Sequence, residues 1–452
     1  MIDIPGGALE ILGRLNDAGY DAYVVGGCVR DSLRGIAPYD WDITTSATPD
    51  EMKEVFLGEK IIETGIKHGT LTIRSSAGEF FEVTTFRVDG EYKDGRHPEN
   101  VEFVRDVEGD LARRDFTMNA IACDAEGNTE DPFGGEKDIS NEVIRCVGDP
   151  DKRFGEDGLR ILRALRFAAA TGFAVEEKTR ASIHRNAGLL SNISAERINS
   201  ELTKLLLGDH AFDVLMEYKD IVTAIIPELA PSIGFEQNSV WHCYDVYEHI
   251  MRAVDAYKGD DACIKFALLL HDVGKPACYS VGPDGRGHFY GHVEESVRLA
   301  GPILDRLKFS NADKEKITEL IRYHDIRVEP QDKSCRKALG KLGLELMEDL
   351  GHVKKADISA QSEYSRIREF DKVDEVLKIA RKIASSGACL KLRDLAVGGD
   401  DLIEELGVAP GPVVGNILNE LLKKVIEDQI PNERGALLEC ARDLYANGVP
   451  ND

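Results

Sequence analysis

Asp40 and Asp42 lie two residues apart, shortly after the stretch Val24-Val25-Gly26-Gly27-Cys28-Val29-Arg30-Asp31. The apolar residues before Gly26 read as a short buried strand. Two adjacent glycines let the backbone turn tightly and approach a ligand closely. Arg30 and Asp31 then open a helix whose free N–H groups and positive end suit a phosphate. Side chains two apart in an extended strand share a face, so Asp40 and Asp42 are expected to point the same way. Two carboxylates beside a triphosphate cradle are what Mg²⁺ requires for phosphoryl or nucleotidyl transfer. Either piece alone describes an ordinary turn or a solvated acidic pair. Both within one strand–helix–strand unit point to a site.

A second constellation lies far downstream: His249, His271-Asp272, His292, His324 and Asp357. His271-Asp272 follows the apolar run Phe266 to Leu270, which places the pair on a buried helix. An imidazole beside a carboxylate is costly there unless a metal or hydrogen bonds satisfy both. Histidine with carboxylate suits Mn²⁺, Ni²⁺, Fe or Zn²⁺ better than Mg²⁺ alone. His210, His242 and His352 share no such pattern and read as core residues.

The elements that must hold the first set come from alternation. A helix over residues 5–20, strands at 23–25, 61–63, 70–73 and 80–86, and glycines at 65, 69 and 78 outline an α/β unit around a small mixed sheet. Glu82 shares a side with Phe80 and Thr84. It is either a third carboxylate beside Asp40 and Asp42 or an edge-strand glutamate facing water. Residues 88–98, with Asp94-Gly95-Arg96-His97-Pro98, have the composition of a mobile loop. In Arg113-Arg114-Asp115-Phe116-Thr117-Met118-Asn119, the arginine forks suit triphosphate oxygens and Asp115 suits a ribose hydroxyl. From about residue 140 the pattern turns helical. Phe154 to Phe167 reads as one amphipathic helix on which Asp157 and Arg160 are neighbours, either an i,i+3 ion pair or a pair facing a ligand.

At 452 residues the chain is too long for one core. Its 42% hydrophobic and 30% charged residues describe an ordinary soluble protein, and no apolar run is long enough to span a bilayer. No signal peptide is recognisable, and nine cysteines without a C-x-x-C pair argue for a cytoplasmic protein without a disulfide or zinc-thiolate framework. The net charge of −25 speaks against nucleic acid only as a sum. Arginines gather at 153, 160, 163, 166, 180, 185 and 197, so RNA binding is expected on one face and to be salt-sensitive.

Five segments in order, Gly26 to Asp42, Arg113 to Ala120, Asp131 to Gly135, Glu156 to Arg160 and Ala195 to Ile198, resemble the motifs of the class II tRNA nucleotidyltransferase and bacterial poly(A) polymerase family. The resemblance implies an α+β fold: a polymerase-β-like head over 1–140, a helical neck over 141–232, a body over 233–365 and a helical tail over 366–452 that binds tRNA. It implies transfer of CMP and AMP from CTP and ATP to a tRNA 3′ end. Asp40, Asp42 and Glu82 would serve catalysis with Mg²⁺, and Gly26, Gly27, Arg30 and Arg113 would cradle phosphates. Asp115 and Asn119 would check the ribose, Asp157 and Arg160 would read the base, and Arg163 and Arg166 would add nucleotide contacts. The 94–98 loop is tied in this family to the adenine step, which favours C-C-A addition over C-only addition; A-only and poly(A) synthesis remain alternatives. Leu269 to Lys275 resembles the core of the HD metal-dependent phosphohydrolases. That likeness makes His249, His271, Asp272 and Asp357 metal ligands, with His292 and His324 at a second metal or the scissile phosphate. A rival of another class is a hydrolase centred on that domain, with the head serving to bind RNA.

Overall fold

The structure is a computed structural model that describes residues 2–63, 65–90 and 101–447. The Asp94 to Pro98 segment lies outside the described residues. The chain forms two compact units, Met1–Pro227 and Glu228–Asp452.

The first unit begins with α1 (Gly6–Asp17), β1 (Ala22–Val25), α2 (Gly27–Leu33), β2 (Ile43–Thr45), α3 (Pro49–Val55) and β3 (Ile61–Ile62). It continues through β4 (Thr70–Arg74), β5 (Phe80–Thr85), β6 (Arg87–Asp89), β7 (Val101–Phe103), α4 (Val107–Ala112), β8 (Ala122–Cys123), β9 (Thr129–Glu130) and α5 (Gly135–Ser140). Seven of these strands form one sheet in the order β3-β4-β5-β2-β1-β8-β9. It is mixed because β2 runs parallel to β5 while the other pairs are antiparallel. Ala8, Ile11, Leu12 and Leu15 follow the spacing of a single helix face along α1 and are completely buried, as a one-sided helix packed on a sheet requires.

The helical part that follows differs from the sequence expectation at one place. Residues 154–167 are not one helix: α6 (Pro150–Glu156) ends and α7 (Leu159–Thr171) begins anew. Asp157 between them is extended (φ −146°, ψ 104°), and its carboxylate accepts the Leu159 N–H at 3.0 Å. A short acidic side chain that caps a new helix competes with continuing the old one, so the apolar period runs on through a break. The remaining helices are α8 (Glu177–Arg185), α9 (Ala195–Leu206), α10 (Ala211–Glu217) and α11 (Lys219–Ile225).

The second unit is helical: α12 (Val246–Ala256), α13 (Ala262–Leu270), α14 (His292–Arg306), α15 (Asn311–Tyr323), α16 (Asp332–Ser359) and α17 (Glu363–Ser385), then α18 (Gly399–Leu406), α19 (Pro412–Ile426) and α20 (Arg434–Ala446). Residues 264–270 of α13 are all buried, so this helix runs through the middle of its unit. Among the described residues no helix is long and apolar enough to cross a membrane.

One contact ties α5 to the turn Thr117–Asn119. A Cβ on Gly135 would come within 2.2 Å of the Thr117 carbonyl oxygen, which is backbone and has no rotamer to give way. Gly135→Ala is expected to cost about 1–3 kcal/mol. Gly6→Ala, with open space at its Cβ, is expected to leave the thermal midpoint unchanged or raised. Equal midpoints for the two variants would contradict the contact.

Candidate active site

The strand expected at Asp40 and Asp42 begins only at Ile43. Both aspartates sit in the approach to it, with Val25 N–H donating to the Asp42 carbonyl at 3.0 Å. Pairing at one hydrogen bond keeps Asp42 close to β1 without making it part of the ladder. Register settles the position of Glu82. Ile43 pairs with Val83 in the parallel β2–β5 ladder, which brings the residues before them, Asp42 and Glu82, level. Phe81, Val83 and Thr85 face the core, while Phe80 and Glu82 are exposed. Since β5 lies inside the sheet, Glu82 is not on an edge strand. It stands on the open face with Asp42.

Asp42 is open to solvent on one side yet crowded by protein on the other. That loss of hydration, with the charges of Asp40 and Glu82, pushes its carboxyl up to about 6, against the opposing pull of Arg114. Oxygen donors of this type are those a divalent cation takes, though among the described residues the ligand atoms lying close enough together to hold one ion are those of the second unit.

Next to them, Gly26 holds φ 83°, a conformation that favours glycine, and a Cβ there would lie 2.9 Å from the Arg114 guanidinium. The sequence already marks the Arg113-Arg114 pair for this region; the structure adds the residue that holds both, Asp110. Asp110 is fully buried near the end of α4 and binds Arg113 at 2.7 Å and Arg114 at 3.4 Å. Burial works against its charge, but the two guanidiniums outweigh that and lower its pKa. The i,i+3 and i,i+4 spacing of an acid before two arginines was the available signal.

Arg30, Asn119, Asp115 and Arg163 form one chain. Arg30 grips Asp31 twice at 2.9 Å and donates to Asn119 Oδ1 at 2.8 Å. Asn119 Nδ2 donates to Asp115 Oδ1 at 3.1 Å, and Arg163 closes on Asp115 Oδ2 at 2.6 Å. Although Asp115 is buried, the Arg163 charge and the hydrogen bonds from Asn119, Arg163 and the Phe116 N–H bring its carboxyl down to about 2. Arg166 meets Glu201 of α9 at 3.0 Å and lies 4.0 Å over the Phe167 ring.

The side chains of Asp157 and Arg160 are not paired with each other, although the Arg160 N–H donates to the Asp157 carbonyl at 3.0 Å. Asp157 binds Arg197 at 2.6 Å, and Arg160 binds Glu156 at 2.7 Å and the Arg113 carbonyl at 2.9 Å. The break at Asp157 removes the helical geometry that the i,i+3 expectation needed. Arg197, which lies in the Ala195 to Ile198 segment, is the partner of Asp157 from forty positions away.

In the second unit all six expected residues converge. His249 Nε2 lies 3.1 Å from Asp272 and 3.0 Å from Asp357, and His271 Nε2 lies 3.1 Å from Asp272. His292 and His324 approach the other Asp272 oxygen at 3.6 and 3.8 Å. Each of the four histidines turns Nδ1 to a backbone carbonyl: Ala360, Leu268, Phe289 and Ile321. A carbonyl can only accept, so Nδ1 carries the proton and Nε2 is left to face the carboxylates. His249 Nε2, His271 Nε2 and Asp272 Oδ1 are buried without a hydrogen bond of good geometry. Orphaned ligand atoms in this arrangement fit a transition metal. Burial opposes charge on His271, yet Asp272 and Asp357 carry it up to about 10; His324, buried against His271, falls to about 4. Lys275 adds a contact to Asp272 at 2.7 Å. His242, expected to be an ordinary core residue, instead packs edge-on against His249 at 4.9 Å between ring centroids.

Known proteins resemble this chain over nearly its whole length. The model for the Poly A polymerase head domain matches residues 22–145, and that described as "Probable RNA and SrmB-binding site of polymerase A" matches 172–233. A model of domain 2 of tRNA nucleotidyltransferases matches 291–441. A CCA-adding enzyme of Ligilactobacillus salivarius is 32% identical over 442 residues, 98% of this chain and 97% of that protein. One of Geobacillus thermodenitrificans is 51% identical over 208 residues, 46% of this chain and 51% of that protein. The crystal structure of the Bacillus stearothermophilus CCA-adding enzyme in complex with CTP superposes with a TM-score of 0.72 at 32% identity, covering 98% of this chain and 97% of that one.

A raised carboxyl favours the folded state while protonated, so the contribution of Asp42 to stability is full below its ordinary 3.8 and lost as pH rises through about 6. In metal-free buffer Asp42→Asn should therefore gain thermal midpoint relative to the native protein as pH rises from about 4 to about 6, and Mg²⁺ should reverse the gap above about pH 6. A gap that does not change with pH would contradict the crowding. Elemental analysis after dialysis against Mn²⁺ or Ni²⁺ should find metal retained by the native chain and lost from His271→Ala and Asp272→Ala; equal metal contents would contradict the second cluster.

Proposed function

The chain belongs to the family of CCA-adding enzymes, and from that premise we propose that it adds CMP and AMP from CTP and ATP to the 3′ end of tRNA without a nucleic-acid template. The observation that carries the proposal is the crowded carboxylate group of Asp40, Asp42 and Glu82 beside the Gly26 turn. Asp40 and Asp42, with Glu82, would hold Mg²⁺, which when bound activates the RNA 3′-hydroxyl and neutralises the triphosphate. The hydroxyl attacks the α-phosphorus in line, a new phosphodiester forms, and pyrophosphate leaves. Gly26, whose own N–H goes to the Ile121 carbonyl at 3.4 Å, supplies the turn, Gly27 and the α2 N-terminus bring backbone N–H groups to the phosphates, and Arg30, Arg113 and Arg114 add charge. Asp115, fixed by Asn119 and Arg163, accepts from a ribose hydroxyl, and Arg166 steadies this wall through Phe167.

Base choice belongs to Asp157 and Arg160. Arg160 gives three N–H groups to Glu156, the Arg153 carbonyl and the Arg113 carbonyl, which leaves two of its five donors. Asp157 is held by Arg197 and the Leu159 N–H and retains lone pairs. Cytosine and adenine each offer an amine donor beside a ring-nitrogen acceptor, which such a pair satisfies. Uracil and guanine reverse that order and would leave buried groups unpaired, at about 1–3 kcal/mol per contact.

The four segments 1–140, 141–232, 233–365 and 366–452 divide the labour as head, neck, body and tRNA-binding tail. A second activity is favoured by the histidine–carboxylate cluster. His249, His271, Asp272 and Asp357 would hold Mn²⁺ or Ni²⁺, with His292 and His324 at a second metal or at phosphate, for phosphodiester or phosphomonoester hydrolysis at RNA ends. Nine free cysteines and the absence of a spanning helix among the described residues accord with the cytoplasm.

Incubation of tRNA lacking its terminal CCA with labelled CTP and ATP tests the main reading. CMP and then AMP should be incorporated, UMP and GMP should not, and Asp42→Ala should lose at least about a thousandfold in rate while keeping the metal of the second cluster. Equal extension of RNA without a tRNA elbow would favour poly(A) synthesis, and no incorporation of either nucleotide would remove the proposal.

A further inference from the structure

Phe167 of α7 is 7% exposed, and three guanidiniums gather around its ring: Arg166 at 4.0 Å from the centroid, Arg30 at 5.1 Å and Arg163 at 5.5 Å. Cations so close repel one another. Burial, with the charges of Arg163 and Arg30, lowers the pKa of Arg166 against the pull of Glu201 and Asp115. Acids offset part of the repulsion: Asp31 for Arg30, Asp115 for Arg163 and Glu201 for Arg166. The last pair is near but poorly aligned, since Arg166 Nε and Glu201 Oε2 are buried without a hydrogen bond of good geometry. The negative face of an aromatic ring supplies a further attraction, strongest where water is excluded. An aliphatic side chain could fill the same volume without drawing guanidiniums to it.

Two of these arginines end the chain that fixes the sugar wall. Arg30 holds Asn119 at 2.8 Å, Arg163 holds Asp115 at 2.6 Å, and Asn119 and Asp115 are joined at 3.1 Å between them. Phe116, the residue after Asp115, meets Phe167 edge-on at 5.8 Å between centroids. One ring therefore lies against both ends of the chain and against the neighbour of Asp115. Its place follows from the helix, because Arg163 and Phe167 stand one turn apart on α7.

We propose that Phe167 is a positioning residue for sugar selection: its ring holds Arg30 and Arg163, which in turn hold Asn119 and Asp115 where a ribose 2′-hydroxyl is met. The inference rests on reading Asp115 as the acceptor of a ribose hydroxyl, and it places part of the preference for ribose in a buried ring behind that wall. A site arranged for the hydroxyl binds the deoxy analogue less well, because the acceptor then loses its donor.

Calorimetric titration of the full chain with CTP and with dCTP, in Mg²⁺ and without RNA, tests this. The native chain should prefer CTP, and Phe167→Leu should reduce the ratio of the two Kd values about tenfold. Placing 3,4,5-trifluorophenylalanine at position 167 keeps the shape of the ring and weakens its negative face. That change should reduce the ratio about threefold, and it decides the matter should Phe167→Leu not fold. Leu162→Ala, a buried change in the same helix, should keep the native ratio. A native ratio in either folded variant at position 167, an equal fall in Leu162→Ala, or equal binding of CTP and dCTP by the native chain overturns the positioning role. Failure of a native chain that prefers CTP to extend tRNA removes the transfer reaction and leaves this role standing.

Discussion

Like charges held together are the constraint on which the head is built. Asp42 and Glu82 share the open face of a mixed sheet, and lost hydration together with the charges of Asp40 and Glu82 lifts the Asp42 carboxyl to about 6. Such a group is unfavourable without a counter-charge. The parallel β2–β5 pair sets it up, because only that register brings Asp42 level with Glu82. Gly26 and Arg114 stand beside it, and Arg114 is in turn held by the buried Asp110. Each part has a reason in the charge of the next: the Arg114 guanidinium opposes the crowded carboxylates, and an interior acid keeps the guanidiniums in place.

The second unit applies the same physics with different donors. Asp272 and Asp357 sit among four histidines whose Nδ1 atoms are tied to backbone carbonyls, so every free ring nitrogen looks inward. Oxygen-only ligands in the head suit Mg²⁺, whereas imidazole and carboxylate suit softer ions. One chain thus carries two sets of donors whose types differ, oxygen alone in the head and imidazole with carboxylate in the second unit.

Much of this was legible in the residues alone, and the exceptions have physical causes. Alternation revealed the strands because half-buried strands must alternate, and the His-Asp pair after an apolar run revealed the second cluster because its burial needs an explanation. Glu82 could not be assigned, since its face depends on which strand lies beside it. Asp157 and Arg160 were placed on one helix because apolar periodicity continues through the break. The capping bond at Asp157 that ends the period is a matter of geometry. Asp110 and His242 act through partners that folding supplies, and the pairing of Arg197 with Asp157 spans forty positions. Local chemistry is written in the sequence; the pairing of distant charges is not.

Selection of a base by side chains alone needs those side chains to be rigid. Arg160 and Asp157, the pair proposed to read the base, are each held by neighbours on both sides, as a fixed template requires. A crystal grown with CTP and Mn²⁺, with anomalous scattering recorded for the metal, tests metal and base together. Anomalous peaks are expected against Asp40 and Asp42, with the cytosine edge facing Asp157 and Arg160. Metal elsewhere in the head, or a base that leaves both side chains untouched, would contradict this assignment.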